Sequence, residues 1–183
     1  FHANAEWRAR YLGPNWDLRV LALPGHSHGH LGLWDLRNQA LYGGDAVHGR
    51  VYYGFDGLPK LPPTYLHVDD YLATIRLVEH LPLTTYVGCH WPVQQGADIG
   101  NFCAESRQFV ELADQAVRRE LVTQPRTLRE LCLAVGPQVG DWPRELDVEL
   151  MYALNGHVMR LAARGLVRVD HTPGAPAHYA WIG

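Results

Sequence analysis

Three short apolar segments of this chain each stop on glycine, and a side chain of metal-ligand type follows each one. Residues 18–23 end at Pro24-Gly25 and run into His26. Residues 39–42 end at Gly43-Gly44 and run into Asp45. Residues 84–88 deliver Cys89-His90. Apolar runs of this length, bounded by turn residues, read as strands rather than helices. Glycine at the break lets the backbone turn sharply without a Cβ penalty. Side chains at strand ends converge on one edge of a sheet. His offers a neutral ring nitrogen there, and a carboxylate can bridge two hard or borderline cations.

The rest of the chain supplies the frame. Residues 31–36 read as a further strand, joined to 39–42 by a turn at Arg37-Asn38. Residues 50–66, with Gly54, Gly57, Pro59, Pro62 and Pro63, read as a long loop of the kind that is often functional. Asp69-Asp70 opens a helix to His80, with Tyr71, Ile75 and Val78 on one face, and its acids suit the positive helix start. Asn101 is expected to cap a long helix to Leu121 along the stripe Phe102, Ser106, Phe109, Val110, Ala113 and Val117. A second unit begins near Thr123. It reads as a helix over 127–135, loops at Gly136-Pro137 and 140–143, a helix over 146–164, and strands over 166–169 and 178–182. Helix, helix and hairpin in that order read as a winged helix.

Composition removes whole classes. The chain has 183 residues with 47% hydrophobic and 19% charged, which is globular and not disordered. No apolar run is long enough for a membrane helix, and Phe1-His2-Ala3-Asn4 lacks the charged start and apolar core of a signal peptide. A net charge of −3 argues against a nucleic-acid binder driven by electrostatics. The helix over 146–164 sets Asp147 and Glu149 against Arg160 and Arg164, so it presents no basic face. Three cysteines with no C-x-x-C pair argue against a disulfide framework and for a reducing cytoplasm.

Leu23-Pro24-Gly25-His26-Ser27-His28-Gly29-His30 resembles the "PGH-T-x-G-H" segment of the metallo-β-lactamase superfamily. Tyr42-Gly43-Gly44-Asp45 resembles its "G-D" turn, and Val87-Gly88-Cys89-His90 its final "G-H" strand end. The resemblance covers residues 16–183 and implies an α/β fold. That fold is the second half of an αββα sandwich over 1–122, followed by a winged-helix subdomain over 123–183. It implies that His26 ligates a first metal, Asp45 bridges and takes part in catalysis, and His90 ligates a second metal. His30 then supports the site from behind. Two divalent metal ions are implied, zinc first and iron or manganese otherwise. The superfamily's upstream "H-x-H-x-D-H" motif has no counterpart here, and His2 is the only histidine before His26.

The expected activity is hydrolysis of an ester, thioester, lactone or related small-molecule substrate by a metal-activated water. The chain alone is expected to be inactive. Its expected partner is the N-terminal half of the fold or a self-associated copy, covering an inner sheet face that carries Leu21, Leu33 or Trp34, and Leu41. The rival readings are a non-catalytic or nucleic-acid-binding winged-helix protein with a decayed site, and a mononuclear iron persulfide dioxygenase. Among the other histidines, His28 is expected to be an exposed loop residue and His48 a solvated turn residue. Tyr52, Tyr53 and Phe55 read equally as pocket walls or as loop packing. Alternation along the strand before it aims Cys89 away from His90, as a small buried residue.

Overall fold

The computed structural model describes residues 17–183, so the terminal residues Phe1-His2-Ala3-Asn4 lie outside it. Strands β1 (Leu18–Ala22), β2 (Leu31–Asp35) and β3 (Ala40–Gly44) form an antiparallel meander. After a hairpin of β4 (Tyr52–Tyr53) and β5 (Pro59–Leu61), helix α1 (Val68–His80) crosses over to β6 (Thr85–Gly88). β6 lies parallel to β3, and β7 (Gln94–Gln95) closes the edge, so the sheet order is β1-β2-β3-β6-β7. The residues after β5 are irregular, and the expected long loop thus holds one short hairpin.

One sheet face is filled. Helix α1 buries Val68, Tyr71, Thr74, Ile75 and Val78 at helical spacing. Helix α2 (Ala97–Thr123) buries ten residues from Ile99 to Leu121. It starts at Gly96, where φ is 53°, five residues before the expected Asn101. Against these helices the sheet sets Leu23, Leu41 and Tyr86, all fully buried. Gly32 and Gly43 give them room: a Cβ at Gly32 would stand 2.5 Å from Leu23 Cδ1, and one at Gly43 2.5 Å from the Tyr86 ring.

No helix among the described residues packs on the opposite face. Register places Val20, Leu33, Tyr42 and Val87 in one row across four strands. Leu31, Leu33 and Tyr42 on this face are 51%, 44% and 44% exposed, unusual for a central apolar row. Leu41 faces the helices instead, and Trp34 and Leu21 pack at the margin of the same core.

Past α2 come β8 (Arg126–Thr127), α3 (Leu128–Val139), a 3₁₀ turn (Arg144–Leu150), α4 (Met151–Ala163), β9 (Val167–Asp170) and β10 (His178–Trp181). The three strands make a sheet of order β8-β10-β9. Thr127 and Glu130 form a reciprocal capping box at the start of α3. That helix runs through Gly136-Pro137 rather than stopping there. Proline removes one hydrogen bond near its last turn, to the carbonyl of the half-exposed Leu133. Gly136 is needed because a Cβ would lie 2.2 Å from Asp147 Oδ1, which accepts the Trp142 indole N–H at 2.8 Å. The expected single helix over 146–164 is divided, with 3₁₀ geometry up to Leu150 and α-helix after it. One apolar core runs from Leu23 to Tyr179.

Candidate functional site

β1, β3 and β6 run in the same direction, so their C-terminal ends lie along one edge of the sheet. His26, Asp45 and His90 follow those three ends. His26 leaves β1 across Gly25, whose φ is 144°, and a Cβ there would stand 2.6 Å from Tyr71 Cα. The packing of α1 onto this turn therefore requires glycine.

His26 is oriented by the segment before α1. Its Nδ1–H donates to the Thr64 carbonyl at 3.0 Å. A carbonyl only accepts, so the proton sits on Nδ1 and Nε2 keeps its lone pair for a ligand. His30 is held the other way, with Nε2–H donating to the Gly43 carbonyl at 2.8 Å. Its ring also lies against Gly44, where a Cβ would come within 3.3 Å of it. His30 thus braces the turn that presents Asp45, in keeping with a supporting role.

Asp45 Oδ1 is buried and accepts no hydrogen bond among the described residues. His90 Nε2 stands 3.5 Å from it. The His90 ring meets the edge of Tyr52 at 4.9 Å, and the Tyr52 hydroxyl shares a 2.6 Å hydrogen bond with the Thr64 hydroxyl. Thr64 therefore ties the His26 side of the site to the His90 side. Burial pushes the Tyr52 hydroxyl pKa up, so it stays protonated.

Two neighbours differ from expectation. His48 is fully buried rather than solvated, caged by Tyr52, Tyr65, Tyr71, Trp91 and His26. Neither ring nitrogen has a partner among the described residues. Desolvation, and then the nearby His26, hold its pKa well below the usual imidazole range. Cys89 is exposed rather than buried, and its sulfur lies by Asp45: partial desolvation and then the Asp45 charge and hydrogen bond raise its pKa. His28 is exposed as expected. It stacks on His67 at 3.5 Å and faces Asp70.

Sequence reasoning missed Thr64 and Tyr65. Tyr65 is fully buried, and its hydroxyl lies 2.8 Å from His157 Nε2, while His157 Nδ1 lies 3.1 Å from Asp114 Oδ1. This chain of contacts ties α4 and α2 to the segment that holds His26. The length of the 50–66 loop was the only signal for it.

Among the described residues, no three or more His, Cys, Asp and Glu side chains stand together as a set able to hold a metal ion. The residues fit part of such a site: the Asp45–His90 pair with an unpaired buried oxygen, and His26 with a free Nε2.

No family model matches the chain. A metallo-β-lactamase family protein from Thermus thermophilus superposes on 91% of it with a TM-score of 0.67 at 22% identity. A β-lactamase domain protein from Burkholderia ambifaria covers 92% with a TM-score of 0.70 at 17% identity. The fold is that of a metallo-β-lactamase family protein. The chain spans only 50% and 49% of those two structures, about half their length. A curated relative, hydroxyacylglutathione hydrolase of Bdellovibrio bacteriovorus, is 33% identical over 66 residues, covering 30% of this chain and 26% of the relative. Among the described residues, no helix is long and apolar enough to cross a membrane.

Proposed function

We propose that this chain is the second half of a metal-dependent hydrolase of metallo-β-lactamase type, acting on an ester, thioester, lactone or related bond. The observation that carries this reading is Asp45 Oδ1, buried without a donor and 3.5 Å from His90 Nε2. A buried carboxylate oxygen without a partner costs about 1–3 kcal/mol or more, and a cation is the group that would satisfy it. Two divalent ions, zinc by the nitrogen-and-carboxylate donor set, would be held by His26, Asp45 and His90. When bound they would supply a hydroxide near neutral pH and polarise the bond under attack. The chain's own residues do the positioning. Thr64 fixes the His26 tautomer, Gly43 anchors His30, and Tyr52 seats the His90 ring. The name of the curated relative supports hydrolysis as the reaction class.

The remaining donors and the cover of the bare sheet face are assigned to the N-terminal half of the fold. The twofold length of the solved neighbours supports this. Residues 1–122 are read as the catalytic half and 123–183 as a winged helix, which the sheet order β8-β10-β9 under α3 and α4 supports. Arg160 of α4 is engaged by Asp69 and Asp114, which argues against a nucleic-acid-reading face. The free cysteines at 89, 103 and 132 suit a reducing cytoplasm.

Zinc titration followed by calorimetry tests the site. Asp45→Ala and His90→Ala should each abolish or strongly weaken uptake, and His28→Ala should leave it within about twofold. Uptake lost in His28→Ala and kept in Asp45→Ala would overturn the assignment.

A further inference from the structure

The site edge opens onto a cleft of about 630 Å³ formed by Tyr53, Phe55, Cys89, His90, Trp91 and Pro92, with glycines at its floor. We propose that this cleft takes an uncharged apolar chain, the acyl or aryl group of the substrate; this rests on the hydrolase reading above and names its substrate class.

Three observations carry the inference. First, the walls are aromatic, and His90 is itself part of the lining, so a group seated there lies beside the candidate metal ligands. Second, Phe55 is fully exposed at the tip of the β4–β5 hairpin, and Tyr53 at the end of β4 is half-exposed. Apolar rings are not held in water by their own hairpin without cost, and two of them beside one cleft form a ready wall for a ligand chain. Third, among the described residues no lysine or arginine lines the cleft. The one lysine of the segment, Lys60, folds back over Gly54, where a Cβ would meet its stem at 2.6 Å, and pairs with Asp56 at 2.7 Å. Arg50 opens onto the neighbouring groove, which also holds Asp98 and Glu105. A substrate carrying carboxylates or phosphates on this side would find no basic side chain among the described lining residues. An alkyl or aryl chain finds ring faces and the proline.

The hairpin also suits the role mechanically. Gly54 accepts the tight fold because a side chain there would strike Asp56 Oδ1 at 2.7 Å as well as Lys60. Gly54 N–H donates to the Leu58 carbonyl at 2.9 Å, and Gly57 N–H to the Gly54 carbonyl at 2.9 Å. The turn is thereby closed on itself, and Phe55 stays at its tip. Trp91 on the other side is fixed by its indole N–H, which donates to the Val51 carbonyl at 2.8 Å. One wall is anchored and the other is presented on a closed turn.

The test is binding to the metal-free chain, read by NMR shifts of backbone and indole N–H groups. The probes are octanamide, acetamide and succinate. Octanamide should shift Tyr53, Phe55 and Trp91 and bind at least about tenfold more tightly than acetamide, since each added methylene contributes about 0.8 kcal/mol when buried. Phe55→Ser should weaken octanamide about tenfold; the residue is fully exposed, so the fold does not depend on it. Succinate should leave these signals unmoved. Octanamide shifts that map elsewhere, unchanged binding in Phe55→Ser, or succinate binding at this cleft would overturn the proposal. Zinc titration of the same sample reports separately on the hydrolase reading: zinc uptake at Asp45 and His90 with no octanamide binding keeps that reading and removes this one.

Discussion

Tyr65→Phe isolates the contact that joins the C-terminal helices to the site. His157 is fully buried, with Nδ1–H donated to Asp114 and Nε2 left to accept the Tyr65 hydroxyl at 2.8 Å. Phenylalanine keeps the ring, which stacks on Tyr71 at 4.5 Å and 9° and meets Phe109 edge-on. The change therefore removes one hydrogen bond and leaves one buried acceptor unpaired, with little lost packing. The cost is about 1–3 kcal/mol, against a typical domain stability of about 5–15 kcal/mol. Urea unfolding should show a lower midpoint at unchanged slope. The partner change His157→Leu should cost at least as much alone, because it strands the Tyr65 hydroxyl. The double variant should cost less than the sum by about 1 kcal/mol or more, since neither polar group is then stranded. Additive effects, or a Tyr65→Phe cost under about 0.5 kcal/mol, would show that the hydrogen bond is not what holds this segment.

Acid should destabilise the fold before carboxylates titrate. Desolvation holds His48 and His157 below the ordinary imidazole range. Unfolded they take up protons near pH 6.5, so their contribution is complete above about pH 6.5 and falls below it, by up to about 1.4 kcal/mol per pH unit for each group. A urea midpoint that stays level from pH 7.5 to 5 would contradict this. Gly136→Ala should destabilise by about 1–3 kcal/mol, because its Cβ would sit 2.2 Å from Asp147 Oδ1 and displace the Trp142 contact; a neutral thermal melt would refute the clash. The bare face should drive self-association of the isolated chain at micromolar concentration, and Leu33→Lys with Tyr42→Lys should reduce it, as read by sedimentation. A clean monomer in both forms would sink that expectation.

The strands and helices were legible because their periods are strong: the stripe of α1 and the three glycine-terminated strands stand where the sequence puts them. The misses have local causes. Alternation predicted Cys89 to face away from the site, but β6 ends at Gly88, and past a strand end alternation no longer sets direction. His48 follows a Gly-Gly-Asp turn and reads as polar surface. Its burial is decided by Tyr52, Tyr65, Tyr71 and Trp91, of which only Tyr52 is near in sequence. Pro137 reads as a stop, yet it lies near the end of α3 and forfeits one bond, to the half-exposed Leu133, so the helix continues.

The placement of finished and unfinished parts is itself informative. The supporting layer around His26 and His30 is complete: each ring gives one N–H to a backbone carbonyl, and those carbonyls belong to a segment pinned by Tyr52 and to a turn that glycine alone permits. Under the proposed metal site, Nε2 of His26, opposite the Nδ1–H held by Thr64, and the buried Asp45 Oδ1 without a donor among the described residues are the positions a ligand would use. The helix-side core is likewise filled, while no described element covers the row Val20, Leu33, Tyr42 and Val87. A second layer on that face, as proposed above, would meet both the open ligand positions at the sheet edge and the uncovered apolar row. A second sheet packed on that row would bring its own strand ends to the same edge. Core burial and completion of the ligand set are then one event, so metal affinity and stability of the assembled fold should rise together.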